Sequence, residues 1–137
     1  MPTVELLFSA QPEHVRTARL VAAQVARRAG VDEAALDEVR LAVGEACSRA
    51  VGLHRNNGVQ EPVRVYLNEE EKKFSIEVVD EVPSNASGSA LEAGEDTAAD
   101  DEGEMGLAVI SGLVDDVEVI EGEHGGTIRM SWPTVSV

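Results

Sequence analysis

The chain opens with TVELLF, Thr3 to Phe8, a short run rich in strand-forming residues that predicts a β-strand. Ser9 and Pro12 then mark a helix start, because a proline in the first turn lacks an amide that would have no partner there anyway. Val15, Ala18, Val21 and Val25 recur at helical spacing until Gly30 ends the helix. Asp32 caps a second helix, with Glu33 in its first turn. Leu36, Val39, Val43, Ala46, Cys47 and Ala50 form the buried side of this helix, and Glu38, Glu45 and Arg49 lie off that stripe. The segment HRNNG, His54 to Gly58, predicts a turn. Beyond it, Val63, Val65 and Leu67 alternate with polar residues, as do Phe74, Ile76 and Val78, so the polar link NEEEKK joins a β-hairpin. Met105 to Val114 predicts a short apolar third helix. Val117 to Ile120 and Thr127 to Trp132 predict two strands joined by GEHGG.

The order β, α, α, β, β, long loop, α, β, β predicts an α+β fold. It is expected to be a two-layer sandwich of a mixed, mainly antiparallel sheet with helices on one face. At 137 residues it fits a single domain, 1–137, able to bury a core. Aromatics are only 3%, so that core must be built from Val, Leu, Ile and Ala. The stretch at about 81–104 differs in composition. From Glu92 to Glu104 it holds seven acids and no base, which predicts a flexible, acidic, lid-like loop.

Charge narrows the function. A formal net charge of -15 argues against direct nucleic-acid binding and against anionic membranes. Four of the positive charges, Arg16, Arg19, Arg27 and Arg28, sit on the first helix. The plain reading is a solvated face, and the sharper one is a partner surface. The single cysteine, Cys47, cannot form an internal disulfide, and its place on the apolar stripe favours a buried small hydrophobe over a catalytic thiol. No apolar run approaches the roughly 20 residues of a membrane span. The N-terminus also lacks a signal-peptide pattern, so a cytoplasmic protein is expected. His14, His54 and His124 lack metal-ligand spacing and are assigned no site.

Four segments together carry a resemblance: EACSRAV (Glu45 to Val51), VVD (Val78 to Asp80), GEMGLAVISGLVDDVEV (Gly103 to Val119) and GGTIRM (Gly125 to Met130). In this order and spacing the chain resembles the bacterial anti-sigma factors that double as serine protein kinases. These share the ATPase domain of histidine kinases, gyrase, Hsp90 and MutL. The resemblance implies binding of a sigma factor, displacement by an anti-anti-sigma partner and a possible homodimer. It also implies a Mg-ATP site. In that site Glu45 matches the general base, Asp80 the ligand of the adenine amino group, Gly106 the phosphate-binding turn and Thr127 the late-strand threonine near the adenine. The family's first helix contributes to partner binding, which makes Arg16 and Arg19 the candidate partner-binding residues.

Three positions depart from the family pattern. Arg49 stands where the family has a metal-binding Asn, Val82 where it has a Gly near the adenine, and Glu104 where the phosphate turn has its first Gly. A guanidinium has only donors and cannot ligate Mg²⁺. Arg49 is instead expected to pair with Glu45 one turn earlier on the helix. The favoured expectation is therefore an anti-sigma factor with a degenerate ATP site, no cofactor, no metal and no kinase activity. The alternative is an active serine kinase in which Arg49 reaches the phosphates in place of the metal. A third reading is a domain that takes another ligand in the same cleft.

Overall fold

The computed structural model describes residues 3–82, 110–114, 116–122 and 125–134. Among the described residues, seven elements of six residues or more follow in chain order: β1 (Thr3–Phe8), α1 (Pro12–Ala29), α2 (Glu33–Asn56), β2 (Val63–Glu70), β3 (Lys73–Val79), β4 (Asp116–Glu121) and β5 (Gly126–Pro133). The strands form one five-stranded sheet in the order β1-β2-β3-β5-β4. Every pairing is antiparallel, so the mainly antiparallel sheet read from the sequence carries no parallel pair among the described strands. The predicted lid at about 81–104 lies, past Val82, outside the described residues, as does the first half of the predicted third helix. Of that helix, Ile110 to Leu113 is helical.

The core lies between the two helices and one sheet face. Sheet register brings Val65, Val78 and Ile128 into one row, and Leu67, Ile76 and Met130 into the next. All six are buried. Removing this much aliphatic surface from water is the main stabilising term, at roughly 1.5–3 kcal/mol per large side chain. On α1 the buried stripe is Val15, Ala18, Ala22, Ala23 and Ala26, with Val21 and Val25 only half-buried beside it. Small alanines let α1 lie close against α2, and the valines flank that seam.

Local chemistry fixes the helix ends. Pro12 stands at the start of α1, and Gly30 closes it in the left-handed region (φ 102°) while its amide donates to Ala26 and Arg27 carbonyls. The Asp32 side chain accepts from the Ala34 amide at 3.3 Å and caps α2 as expected. Helix α2 runs on to Asn56, through most of the segment read as a turn. The hairpin link is also tighter than expected. β2 pairs to Glu70 and β3 starts at Lys73, leaving only Glu71 and Lys72 as the turn. Lys72 takes a positive φ of 66°, which lets the strands meet this closely.

Candidate functional site

A cleft opens where the second half of α2 faces the ends of β3, β4 and β5. Arg49, Leu53, Asp80, Val82, Val119, Ile120, Gly125, Gly126 and Thr127 contribute to its walls. The walls are mostly aliphatic or glycine, with one cation, the buried Asp80 carboxylate and the exposed Glu121 carboxylate among them.

Asp80 is the organising residue. It follows the last residue of β3 and is only 5% exposed. Its Oδ1 accepts from the Val82 amide at 3.0 Å and from the Gly126 amide at 3.2 Å. Its own amide donates to the Gly126 carbonyl at 2.9 Å. A buried carboxylate needs such partners, because desolvating an uncompensated charge is costly. The pair Gly125–Gly126 makes the approach possible. A Cβ on Gly125, whose φ is 153°, would lie 2.0 Å from the Asp80 carbonyl oxygen, and one on Gly126 would lie 3.0 Å from Asp80 Oδ2.

Arg49 does not pair with Glu45. Its Nη1 lies 3.9 Å from Asp80 Oδ2, and its side chain is 17% exposed. Among the described residues Glu45 forms no ion pair, and it does not line the cleft. The expected helix-surface pair is therefore replaced by a tertiary one. The physical reason is demand: an exposed i, i+4 pair gains only about 0.3–0.5 kcal/mol, whereas the buried Asp80 charge has much more to gain from a countercharge.

Sequence reasoning missed one residue that shapes the site. His54, on the last turn of α2, is fully buried. Its Nδ1 lies 3.0 Å from the Glu61 carbonyl and its Nε2 lies 2.8 Å from the Glu81 amide. A carbonyl only accepts and an amide N–H only donates, so the ring must be neutral with its proton on Nδ1. His54 thereby ties the end of α2 to the residue after Asp80. Its partners are backbone groups, so no side-chain spacing could have revealed them.

The remaining predicted residues divide. Thr127 is half-buried in the cleft, paired in register with Val79 on one side and Ile120 on the other. Val82 is buried in the cleft wall, and its amide binds Asp80. Gly106 and Glu104 lie outside the described residues. Arg16 and Arg19 are exposed on α1, away from the cleft, and the Arg19 side chain lies over Gly44 of α2. Arg27 pairs with Glu33, whereas Arg16, Arg19 and Arg28 form no ion pair with described residues. Cys47 is fully buried, and burial pushes its thiol up to about 12, which makes it a poor nucleophile.

The donor set does not match a magnesium site. Arg49 offers only N–H groups, and Asp80 Oδ1 is already committed to two amides. Among the described residues no three acidic, histidine or cysteine side chains are grouped to hold a metal ion.

A family model described as the histidine kinase-like ATPase domain matches residues 8–132. The chain belongs to the histidine kinase-like ATPase family. Within it, the chain is 30% identical over 134 residues to the serine-protein kinase RsbW of Oceanobacillus iheyensis, covering 93% of this chain and 84% of that protein. It is 28% identical over 134 residues to the RsbW of Bacillus subtilis, covering 93% and 83%. The crystal structure of the RsbU and RsbW domains of a Mycobacterium tuberculosis protein superposes with a TM-score of 0.71 at 17% identity. That match covers all of this chain and 34% of the longer one, and it bears on the fold alone. The family thus accounts for the fold, an open antiparallel sheet with helices.

Proposed function

We propose that this chain is a cytoplasmic anti-sigma factor that binds and inhibits a sigma factor, is countered by an anti-anti-sigma partner, and has a degenerate ATP site without kinase activity. The observation that carries this reading is Arg49. Its guanidinium stands on the helix face where the RsbW-like pattern has a metal-binding Asn, and it faces Asp80 at 3.9 Å. Two groups with separate tasks at a nucleotide, a metal ligand and an adenine ligand, are here committed to each other. Glu45, matched to the general base, stands outside the cleft lining.

The partner role draws support from α1. Arg16 and Arg19 are exposed there beside Leu20, which is 56% exposed. A cationic, partly apolar ridge on a chain of net charge -15 suits an acidic protein surface. No described helix is long and apolar enough to cross a membrane.

The second reading is an active serine kinase with an atypical ATP mode. It draws on Asp80 and Thr127, which meet in one cleft. The experiment is capture on the immobilised chain with the host's sigma and anti-anti-sigma proteins, with Arg16→Glu/Arg19→Glu as control. The expected outcome is nucleotide-independent capture of a sigma factor, weakened at least tenfold by the charge reversal. Capture of neither class of protein would contradict the reading. Magnesium-ATP-dependent phosphate transfer to a serine of the anti-anti-sigma protein would favour the kinase.

A further inference from the structure

The two oxygens of Asp80 face different tasks. Oδ1 is saturated by the Val82 and Gly126 amides, at 3.0 and 3.2 Å. It holds the end of β3 against the start of β5. Oδ2 accepts no hydrogen bond from a described residue. The Arg49 guanidinium is the one cation among the described residues within 4.0 Å of it. The Arg49 guanidinium in turn forms no hydrogen bond with any described residue, so it has no other described anchor. Leu53, one turn further along α2, and Ile128 add aliphatic surface to the same cleft, whose wall also carries the exposed Glu121. Apolar walls lower the local dielectric and strengthen the attraction across 3.9 Å.

We infer that Arg49 is a built-in occupant of the cleft: its guanidinium stands 3.9 Å from Asp80 Oδ2, in the way of an amino group that would donate to that oxygen, and so keeps the cleft shut to amino-bearing heterocycles. This rests on the reading of the cleft as a degenerate nucleotide site and adds what holds it closed. Asp80 is then an internal partner. Its carboxylate stays compensated without any ligand, so the cleft's structure does not depend on one. The inference makes Arg49 a specificity-determining residue. It sets an energetic barrier at one named oxygen, separate from any loss of metal binding.

The barrier can be isolated with a probe that carries neither phosphate nor metal. Adenosine presents an exocyclic amino group and no charge. Binding is measured by calorimetry or ligand-observed NMR on the intact chain, on Arg49→Ala and on Arg49→Lys. The expected result is that Arg49→Ala binds adenosine at least tenfold more tightly than the native chain. Arg49→Lys, which keeps a cation on the same helix face, stays close to native. Asp80→Asn added to Arg49→Ala should abolish the gain. Native thermal unfolding of each variant, followed through Trp132, establishes that the fold is retained. Equal binding by the native chain and Arg49→Ala, or none by either at millimolar adenosine, would overturn the inference while leaving the degenerate-site reading standing. Tight magnesium-ATP binding by the native chain would instead overturn the degenerate-site reading itself. A parallel cycle on stability uses Arg49→Met, Asp80→Asn and the double variant. The expected coupling is at least fivefold in the unfolding equilibrium, and strict additivity would contradict the pairing.

Discussion

Asp80 shows how one side chain can hold both a fold and a site. Its Oδ1 serves two backbone amides, and its Oδ2 faces Arg49. The sequence marks Asp80 and Arg49 as candidate site residues and predicts a pair between Arg49 and Glu45; the structure has both line one cleft and pairs Arg49 with Asp80 instead. The i, i+4 rule sees only neighbours on one helix, and Asp80 arrives from a strand far along the chain. His54 is illegible for a related reason: it has no metal-ligand spacing, and its partners are the backbone carbonyl of Glu61 and the backbone amide of Glu81. Cys47 was read correctly, because a thiol within an apolar stripe has nothing to activate it. Burial raises its thiol from the ordinary 9.0 to about 12. The folded state therefore holds the proton more tightly than the unfolded chain. Its contribution to stability is complete below pH 9 and is lost as pH rises toward 12. Iodoacetamide at pH 8 should label Cys47 at least a hundredfold more slowly in the native protein than in urea. Equal rates in the two states would contradict the packing described for α2.

Elements were more legible than contacts. The first strand and both long helices follow the apolar periodicity to within a few residues, because one face of each must reach the core. Periodicity gives no information on strand order, so the place of β5 between β3 and β4 was not readable. Nor was the two-residue hairpin, which depends on the unusual φ of Lys72. Two glycines illustrate how position decides cost. Gly52 lies inside α2 with nothing within 4 Å of an added Cβ. Gly52→Ala should stabilise the chain by about 0.5–1 kcal/mol, since glycine in a helix interior is less favourable than alanine. Gly125 meets the Asp80 carbonyl at 2.0 Å and has a φ of 153°. Gly125→Ala should cost roughly 3 kcal/mol or more, through backbone strain and displacement of Asp80. Chemical denaturation of both variants checks the signs, and a neutral Gly125→Ala would show that the turn does not hold Asp80 in place.

At the scale of the molecule, the histidine kinase-like ATPase family supplies an open antiparallel sheet with helices. In this chain a cleft opens at the strand ends, and Arg49 faces Asp80 in its wall. The resemblance was readable because four segments have the expected order and spacing, although three positions depart from the expected site pattern. What the changes do together depends on tertiary geometry, which puts Arg49 at Asp80 and leaves Glu45 outside the cleft lining. Acidic net charge, an exposed arginine ridge on α1 and an internally compensated cleft fit a binding protein that works without turning over nucleotide. The most direct test of that account is calorimetric titration of the native chain with ATP, with and without Mg²⁺. The account predicts no heat of binding in either case up to millimolar nucleotide. Magnesium-dependent binding in the micromolar range would contradict it and would return Glu45 to the role of a general base.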